Sequence, residues 1–154
     1  MKCDYLFMNK QNDVIDNLIE TLKDGQKGFE QAAEAVSDPK LKSLFSNYSQ
    51  QRSRFAAALQ SEARRNGETE PETSSSATGA MHRGWINLKS VITGGDEHAI
   101  LAECERGEDS AVEQYKKALE DGLTPAAQEL VSRQFTEIKA AHDRIRSLRD
   151  AAKS

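Results

Sequence analysis

The stretch that decides the fold is residues 100–119, ILAECERGEDSAVEQYKKAL. At helical spacing, one stripe of this stretch is apolar except for a carboxylate at its centre, Glu108. A carboxylate on the core-facing side of a helix must be ion-paired, hydrogen-bonded, protonated or bound to a metal. The stretch therefore predicts an amphipathic helix and makes the environment of Glu108 the functional question. The stripe consists of Leu101, Cys104, Glu108, Ala111, Tyr115 and Ala118.

Length and composition favour a single all-helical domain. The 154 residues are 30% charged and only 6% aromatic, a balance typical of long, solvated, amphipathic helices. The net charge of -4 argues against a nucleic-acid or anionic-membrane partner. Arginines cluster at Arg64 and Arg65 and again in residues 133–149, but they alternate with acidic residues as on a solvated surface. No apolar run approaches the roughly 20 residues that span a bilayer.

Residues 1–10 are predicted to form a flexible N-terminal extension. They lack the apolar core and the cleavage site of a signal peptide. This extension contains Cys3, whereas Cys104 lies in the core stripe. Such a pair is poorly placed for a disulfide, so we expect a reducing, cytoplasmic location. Cys104 is interpreted as a small buried hydrophobe, with a redox or ligand role as the alternative.

Four stretches have the apolar spacing of bundle helices, and the breaks between them are of two kinds. Two breaks are short and pair a capping side chain with a proline in the first helical turn: Asp38 with Pro39, and Thr124 with Pro125. Helices joined by so short a connection must be antiparallel neighbours. The predicted helices span 11–36, 40–66, 97–120 and 125–152.

The middle break, residues 67–95, is long enough to travel the length of a bundle. Residues 68–79 read as an exposed linker, and residues 80–92 predict a short helix whose Trp85 packs onto the bundle. The fold prediction is therefore all-α: a ferritin-like four-helix bundle over residues 11–152, made of two antiparallel helical hairpins joined by a long crossover containing a short helix. Gly25 and Gly28, inside the first helix, indicate either close packing or room for a ligand.

The polar residues of the predicted core gather halfway along the bundle. Counting turns from the connection between the first two helices places Gln51 at the level of Glu108, with Tyr48 one turn nearer and Gln134 one turn farther. The first interpretation is a buried hydrogen-bond cluster of Tyr48, Gln51, Glu108 and Gln134, to which Arg52 could also donate. A satisfied cluster of this kind fixes helix register.

The second interpretation is a metal centre. A di-iron bundle takes a Glu from each of two helices and a Glu-x-x-His pair from each of the other two. Here Tyr48 and Gln51 stand where one such pair is needed, and Lys139 stands three residues before His142. A lone iron or manganese would have to use Glu108 and His142 with flanking acids; the candidate metal ligands are Glu108, His142, Glu105, Glu20 and Asp24. The other acidic residues of the third helix, including Glu103 and Glu113, are predicted to lie on its solvated face. Glu105 is predicted to lie there too unless it binds a metal.

A third interpretation is a small-molecule pocket at mid-bundle. Gly25 would leave the space, and Tyr48 and Cys104 would line it. All three interpretations remain open at the level of the sequence.

Three segments resemble a family of bacterial ferritin-like four-helix-bundle proteins of unknown function, which is distantly similar in fold to rubrerythrins. They are LIETLKDGQKGFEQAAE at 18–34, HRGWINLKSVITGGDEHAILAECERGEDSAVEQYKKAL at 82–119, and FTEIKAAHDRIRSLRDA at 135–151. The resemblance covers residues 8–152 and implies a bundle fold and a bacterial, cytoplasmic protein. It implies no reaction. Of the wider ferritin-like pattern, Glu108 and Tyr115 match, whereas Leu22 and Phe29 stand where the corresponding pair of the first helix would be.

The function expected from these observations is non-catalytic: a structural or partner-binding bundle, associated with stress, with an incomplete di-iron ligand set and no cofactor. The alternative is a divergent iron- or manganese-binding oxidoreductase that uses Glu108 and His142. A homodimer or an unidentified protein is the expected partner.

Overall fold

The computed structural model describes residues 2–67, 85, 94 and 96–152, and the side chains among these from residue 10 onward. In this part of the chain the helices are α1 (Lys2–Ala35), α2 (Pro39–Arg65), α3 (Glu97–Glu120) and α4 (Pro125–Ala151), and no strand occurs. The helices pack together as a bundle. The predicted all-α, four-helix bundle is therefore confirmed at this level.

The ends of α2, α3 and α4 lie within one residue of their predicted positions, and capping side chains mark the start of each helix. Asp38 accepts a hydrogen bond from the backbone N–H of Lys40 at 2.8 Å, and Asp96 caps α3 in the same way. Thr124 caps α4, with Pro125 as the first helical residue. Each cap satisfies a backbone donor that the first turn of a helix leaves without a partner.

α1 begins earlier than predicted, at Lys2 instead of residue 11. Residues 2–10 are therefore helical, where the sequence predicted a flexible extension. The physical reason is that this segment contains neither proline nor glycine, so nothing in it stops a helix that is anchored by packing farther along.

Side-chain hydrogen bonds fix how the helices lie against each other. Ser49 of α2 donates to the backbone carbonyl of Gln26 in α1 at 2.8 Å. On another side of α1, Asn17 donates to Gln114 of α3 at 2.6 Å. α1 packs most extensively against α2, and α3 against α4, whereas α2 and α4 make the smallest contact between neighbouring helices.

Two apolar clusters form the core, and the boundary between them falls at mid-bundle. Along α1, α2 and α3 the boundary lies at Gly25, Arg52 and Glu108. Large members of the first cluster are Ile15, Leu18, Ile19, Leu22, Leu59, Tyr115, Val131 and Ile138. Large members of the second are Phe29, Phe45, Trp85, Ile100, Leu101 and Ile145. A polar layer with Arg52 and Glu108 at its centre therefore separates the two halves of the core.

The buried face of α2 is displaced from the predicted one. The apolar spacing of α2 predicts a core-facing seam of Leu41, Leu44, Tyr48, Gln51, Phe55, Ala58 and Glu62. Leu41 and Glu62 are buried, whereas the five positions between them are half-buried. The buried side chains of α2 instead include Phe45, Arg52, Ala56 and Leu59. Between Leu41 and Glu62 the buried stripe thus lies one position farther along the helix than predicted, because Arg52 is buried against Glu108.

The predicted short helix, residues 80–92, lies outside the described residues except at Trp85. Trp85 itself is not helical, and its side chain is buried in the core. The linker predicted at 68–79 also lies outside the described residues. None of the described helices has the length and apolar character that crossing a membrane requires.

Candidate functional site

The centre of the polar layer is an ion pair between Arg52 of α2 and Glu108 of α3. Each guanidinium nitrogen Nη1 and Nη2 donates to one oxygen of the Glu108 carboxylate, and the Nη2–Oε2 distance is 2.8 Å. Both side chains are only 1% exposed. Burial by itself would lower the pKa of Arg52, but the charge and hydrogen bonds of Glu108 outweigh it and raise that pKa above its ordinary value. The two charges therefore neutralise each other away from water.

The remaining groups around the guanidinium complete its environment. Arg52 Nε donates to the side-chain oxygen of Gln51 at 3.2 Å, and the guanidinium carbon lies 5.3 Å from the centre of the Phe29 ring. An arginine over an aromatic face gains a cation–π attraction that strengthens when water is excluded. Gly25 faces the same side chain, since a methyl group at Gly25 would lie 3.7 Å from Arg52 Cγ. The space that Gly25 leaves is occupied by Arg52.

Of the four residues predicted to cluster, Gln51 joins Glu108 through Arg52, while Gln134 belongs to a different network. The Tyr115 hydroxyl donates to Gln134 Oε1 at 2.8 Å, and Gln134 Nε2 donates to the backbone carbonyl of Phe55 at 3.2 Å. This second network links α2, α3 and α4. Gln134 thus lies beside Phe55, one helical turn beyond Gln51 on α2, which is the level that counting helical turns predicted.

Tyr48, the fourth predicted member, is half-buried and packs on Phe29 with ring centres 5.4 Å apart. Burial raises the pKa of the Tyr48 phenol, an effect that the nearby Arg144 opposes and Glu108 reinforces. Cys104, predicted with Tyr48 to line a ligand pocket, is fully buried among the apolar residues of the second cluster. Mid-bundle space near these residues is thus filled by Arg52 and aromatic rings.

The candidate metal ligands outside Glu108 have other partners. His142 lies between two aspartates: its Nδ1 is 3.0 Å from Asp143 Oδ1, and its Nε2 contacts Asp109 Oδ1. Glu105 faces Arg149, whose Nη1 is 2.9 Å from Oε1. These contacts join α3 to α4 at the side of the bundle.

The two candidate ligands on α1 are Glu20, which is half-buried, and Asp24, which is 3% exposed. Within the described residues, no three His, Cys, Asp or Glu side chains are grouped as metal ligands would be. Both oxygens of Glu108 accept hydrogen bonds from a cation, so the one residue that matches the ferritin-like pattern has its ligand atoms engaged. In this arrangement the residues do not fit a di-iron centre.

Two glutamates of α3 that were predicted to be solvated are buried. Glu103 is 1% exposed and pairs with Arg106 one turn along the helix, and Glu105 is 8% exposed beside Arg149. Their pairing with arginines is what permits the burial. The sequence prediction was wrong here because the pairing partners, Arg106 and Arg149, cannot be assigned from the helical spacing of α3 alone.

The feature that the sequence did not predict is a slot for the indole of Trp85 between Gly28 of α1 and Gly107 of α3. A methyl group at Gly28 would lie 2.6 Å from Trp85 Cε3, and one at Gly107 would lie 2.6 Å from Nε1. The ring of Phe29 meets the indole edge-on, with centres 5.4 Å apart. The signal was present: Gly107 is a glycine inside a helix, which is unfavourable unless close packing requires it.

Comparison with known proteins identifies one family. A family model described as a domain of unknown function (DUF2383) matches residues 10–121, which cover most of α1 and the whole of α2 and α3. No match is found among curated proteins. The matched segment contains Arg52, Glu108 and the two glycines of the indole slot. The chain therefore belongs to the family described as a domain of unknown function, DUF2383.

Proposed function

We propose that this protein is a non-catalytic ferritin-like bundle that acts as a structural or partner-binding protein, and that the Arg52–Glu108 ion pair takes the place of metal ions at its centre. The observation that carries the proposal is that the two oxygens of Glu108 both accept hydrogen bonds from one buried guanidinium. The negative charge of this carboxylate is therefore compensated by an arginine of the same chain.

Charge balance supports this assignment. A di-iron bundle uses several buried carboxylates to hold divalent cations, and the cations compensate the carboxylate charge. Here a single guanidinium compensates the single matching glutamate, and its positive charge would repel a metal ion at the same position. An iron- or manganese-dependent oxidoreductase would need Glu108 and His142 together, but Glu108 bonds to Arg52 and His142 contacts Asp109 and Asp143.

The order of contacts supports the ferritin-like topology. The backbone N–H of Thr124, at the turn between α3 and α4, donates to Gln11 near the start of α1 at 2.6 Å. Farther along α1, Asn17 pairs with Gln114, which comes earlier in the chain than Thr124. α1 and α3 therefore run antiparallel to each other. Two antiparallel hairpins joined by one long crossover would produce these contacts. A cytoplasmic location suits the buried free thiol of Cys104.

The test is metal analysis of protein purified without an affinity tag, followed by loading with Fe(II) and measurement of oxygen consumption. We expect less than about 0.1 metal ion per chain and no oxygen consumption above buffer, since ligand atoms in use do not bind metal. The matched control is Glu108→Ala, which should behave in the same way. Stoichiometric iron or manganese, with oxygen consumption that Glu108→Ala loses, would overturn the proposal.

A further inference from the structure

The first residues of α1 extend past one end of the bundle. α2 passes α1 in the opposite direction, because Lys42 donates to the backbone carbonyl of Ala33 and Ser49, farther along α2, donates to that of Gln26. Continued at the same spacing, these contacts bring the end of α2 beside Lys10 of α1. α1 itself begins earlier than this, so part of it continues beyond the end of α2.

The other two helices also end or begin at this level. α3 ends at Glu120, and Thr124, which caps the start of α4, donates its backbone N–H to Gln11 of α1. Residues 2–9, which we call the α1 extension, therefore continue for about 12 Å beyond this level, since a helix rises about 1.5 Å per residue. None of the other described helices runs beside the extension.

The α1 extension continues the buried face of α1. Within the bundle this face includes Ile15 and Gln11, which are 0% and 1% exposed. At helical spacing Phe7 and Met8 occupy the same face one turn before Gln11, and Asp4 occupies it two turns before. The face that packs inside the bundle thus extends past it, and there it carries two apolar residues and one acid.

Buried amide groups without partners lie where the extension leaves the bundle. Gln11 Nε2, Asn12 Oδ1 and Asn66 Nδ2 are buried and have no hydrogen-bond partner in the described part of the chain. Asn66 is the C-cap of α2, so all three atoms belong to this end of the bundle. Buried polar groups without partners are rare in folded proteins, which points to a binding partner at this end.

We propose that the α1 extension pairs antiparallel with the α1 extension of a second copy of this chain, and that Asp4 of each copy binds Gln11 of the other. This inference rests on the partner-binding role proposed above and names the partner. The overlap is complete when the first turn of one α1 reaches the bundle end of the other. Phe7 of each copy then lies level with Met8 of the other, and Asp4 lies level with Gln11. The surface is self-complementary, as a twofold interface requires.

Hydrogen-bond donors and acceptors match in this arrangement. Gln11 Nε2 and Asn66 Nδ2 are donors, and the ionised carboxylate of Asp4 is an acceptor. Asn12 Oδ1 is an acceptor, and the first turn of the other copy's helix offers backbone N–H groups that have no partner within the helix. The apolar residues of the two extensions meet between these polar contacts. A second copy therefore supplies both the apolar and the polar partners that this end of the bundle requires.

Two other occupants fit less well. Residues 68–79, which follow α2 at this end, are ETEPETSSSATG and contain no large apolar side chain to cover the extension. Trp85 packs at Gly28, in the other half of the core. A lipid surface would cover Phe7 and Met8 but would leave the buried amide groups without hydrogen-bond partners.

The first test is sedimentation velocity of the full-length protein from about 1 to 100 μM. We expect a monomer–dimer equilibrium in this range, because two helical extensions of this length bury less surface than a permanent dimer does. Met8→Glu should weaken dimerisation by about tenfold or more, since it brings carboxylates of the two copies together. The matched control is Leu6→Glu, which makes a similar change on the opposite face of the helix and should leave the dissociation constant within about twofold.

The proposed contact between Asp4 and Gln11 has a test of its own. Asp4→Ala should weaken dimerisation by about fivefold, because the buried amide of Gln11 then lacks its acceptor. These substitutions lie outside the bundle, so circular dichroism should show the same thermal unfolding of the monomer in every variant.

Cross-linking tests the antiparallel arrangement. In this arrangement the two copies of residue 8 are adjacent, whereas the two Cys3 residues are about 13 Å apart along the helix axis. In a Cys3→Ser background, Met8→Cys should therefore form an intermolecular disulfide on mild oxidation. The unmodified chain, which keeps Cys3, should cross-link at least about tenfold more slowly, since a disulfide requires Cα atoms within about 7 Å.

Three outcomes would overturn the inference: a monomer at every concentration, equal weakening by Met8→Glu and Leu6→Glu, or faster cross-linking through Cys3 than through position 8. Binding of the monomer to anionic phospholipid vesicles, lost in Met8→Glu, would also overturn it by making the extension a membrane-surface element. These outcomes are distinct from those of the metal analysis. A protein that contained iron could still dimerise, and a metal-free protein could remain a monomer.

Discussion

The guanidinium of Arg52 and the carboxylate of Glu108 meet face to face across the bundle, joined by two parallel hydrogen bonds at the boundary between two apolar clusters. Removal of one partner leaves the other charge buried and uncompensated, whereas removal of both leaves a space that apolar side chains can fill. The pair thus links α2 to α3 at one level of the bundle, with both charges removed from water.

We therefore expect Glu108→Ala to destabilise the fold by about 3–5 kcal/mol. The double variant R52M/E108L should recover most of that loss, or exceed the stability of the unmodified protein by about 1–4 kcal/mol. Urea denaturation followed by circular dichroism gives the free energies of unfolding. Additive losses in the double variant would mean that the two side chains do not act as a pair.

Substitution by alanine should change stability in opposite directions at Gly107, which faces Trp85, and at Gly25, which faces Arg52. Gly107→Ala drives a methyl group into the Trp85 indole, and overpacking of this kind costs about 1–3 kcal/mol. Gly25→Ala is the matched control. A methyl group there makes ordinary contact with Arg52 at 3.7 Å, so the better helix propensity of alanine should stabilise α1 by about 0.5–1 kcal/mol. Equal effects of the two changes on thermal unfolding would contradict the seating of Trp85 between the glycines.

His142 should make stability depend on pH. Burial works to lower its pKa, but hydrogen bonds to Asp143 and Asp109 and their charges outweigh burial and raise it above the ordinary 6.5. Both ring nitrogens contact carboxylates, and only the protonated ring can donate from both. A raised folded-state pKa means that the stabilisation is complete below about pH 6.5 and is lost as the pH rises through the raised value.

The measurement is the thermal midpoint from pH 5.5 to 8.5, a range of roughly one to two units around the ordinary pKa of histidine. In the His142→Gln variant the thermal midpoint should fall less steeply as the pH rises above the ordinary histidine pKa of 6.5. Asp109→Asn should bring the His142 pKa, read from its ring-proton chemical shift, back toward the ordinary value. A His142 pKa below 6.5 in the unmodified protein would refute the raised pKa.

Cys104 should be chemically inert in the folded protein. Burial, reinforced by Glu108 and Glu103, raises the pKa of its thiol well above the ordinary value, so the reactive thiolate is scarce. In a Cys3→Ser background, a thiol reagent at pH 8 should label no cysteine under native conditions and one per chain in concentrated urea. Rapid native labelling would instead support the redox role that the sequence left open.

Much of the fold could be predicted because local signals mark it. Asp38, Asp96 and Thr124 mark helix starts through their side-chain oxygens, and the periodicity of residues 101–118 correctly identified the buried stripe of α3. These signals depend on neighbours in sequence. They can be recognised without knowing which residues pack against the helix from the other side of the bundle.

The candidate site was harder because its partners come from different helices. The sequence identified Glu108 as buried and named Arg52 among its possible donors, but the apolar spacing put Gln51, not Arg52, on the core-facing stripe of α2. The predicted polar cluster likewise merged two networks, one at Arg52 and one at Gln134, that lie on successive turns. Glycine at 107 has a meaning only once an indole from a distant segment is seen beside it.

That indole also limits how the family can vary. Position 107 and position 85 share one fixed volume, with Gly28 as the opposite wall, so a larger residue at 107 must be matched by a smaller one at 85. Relatives that carry alanine or serine in place of Gly107 should therefore lack tryptophan at the position of Trp85, and relatives that keep the tryptophan should keep both glycines.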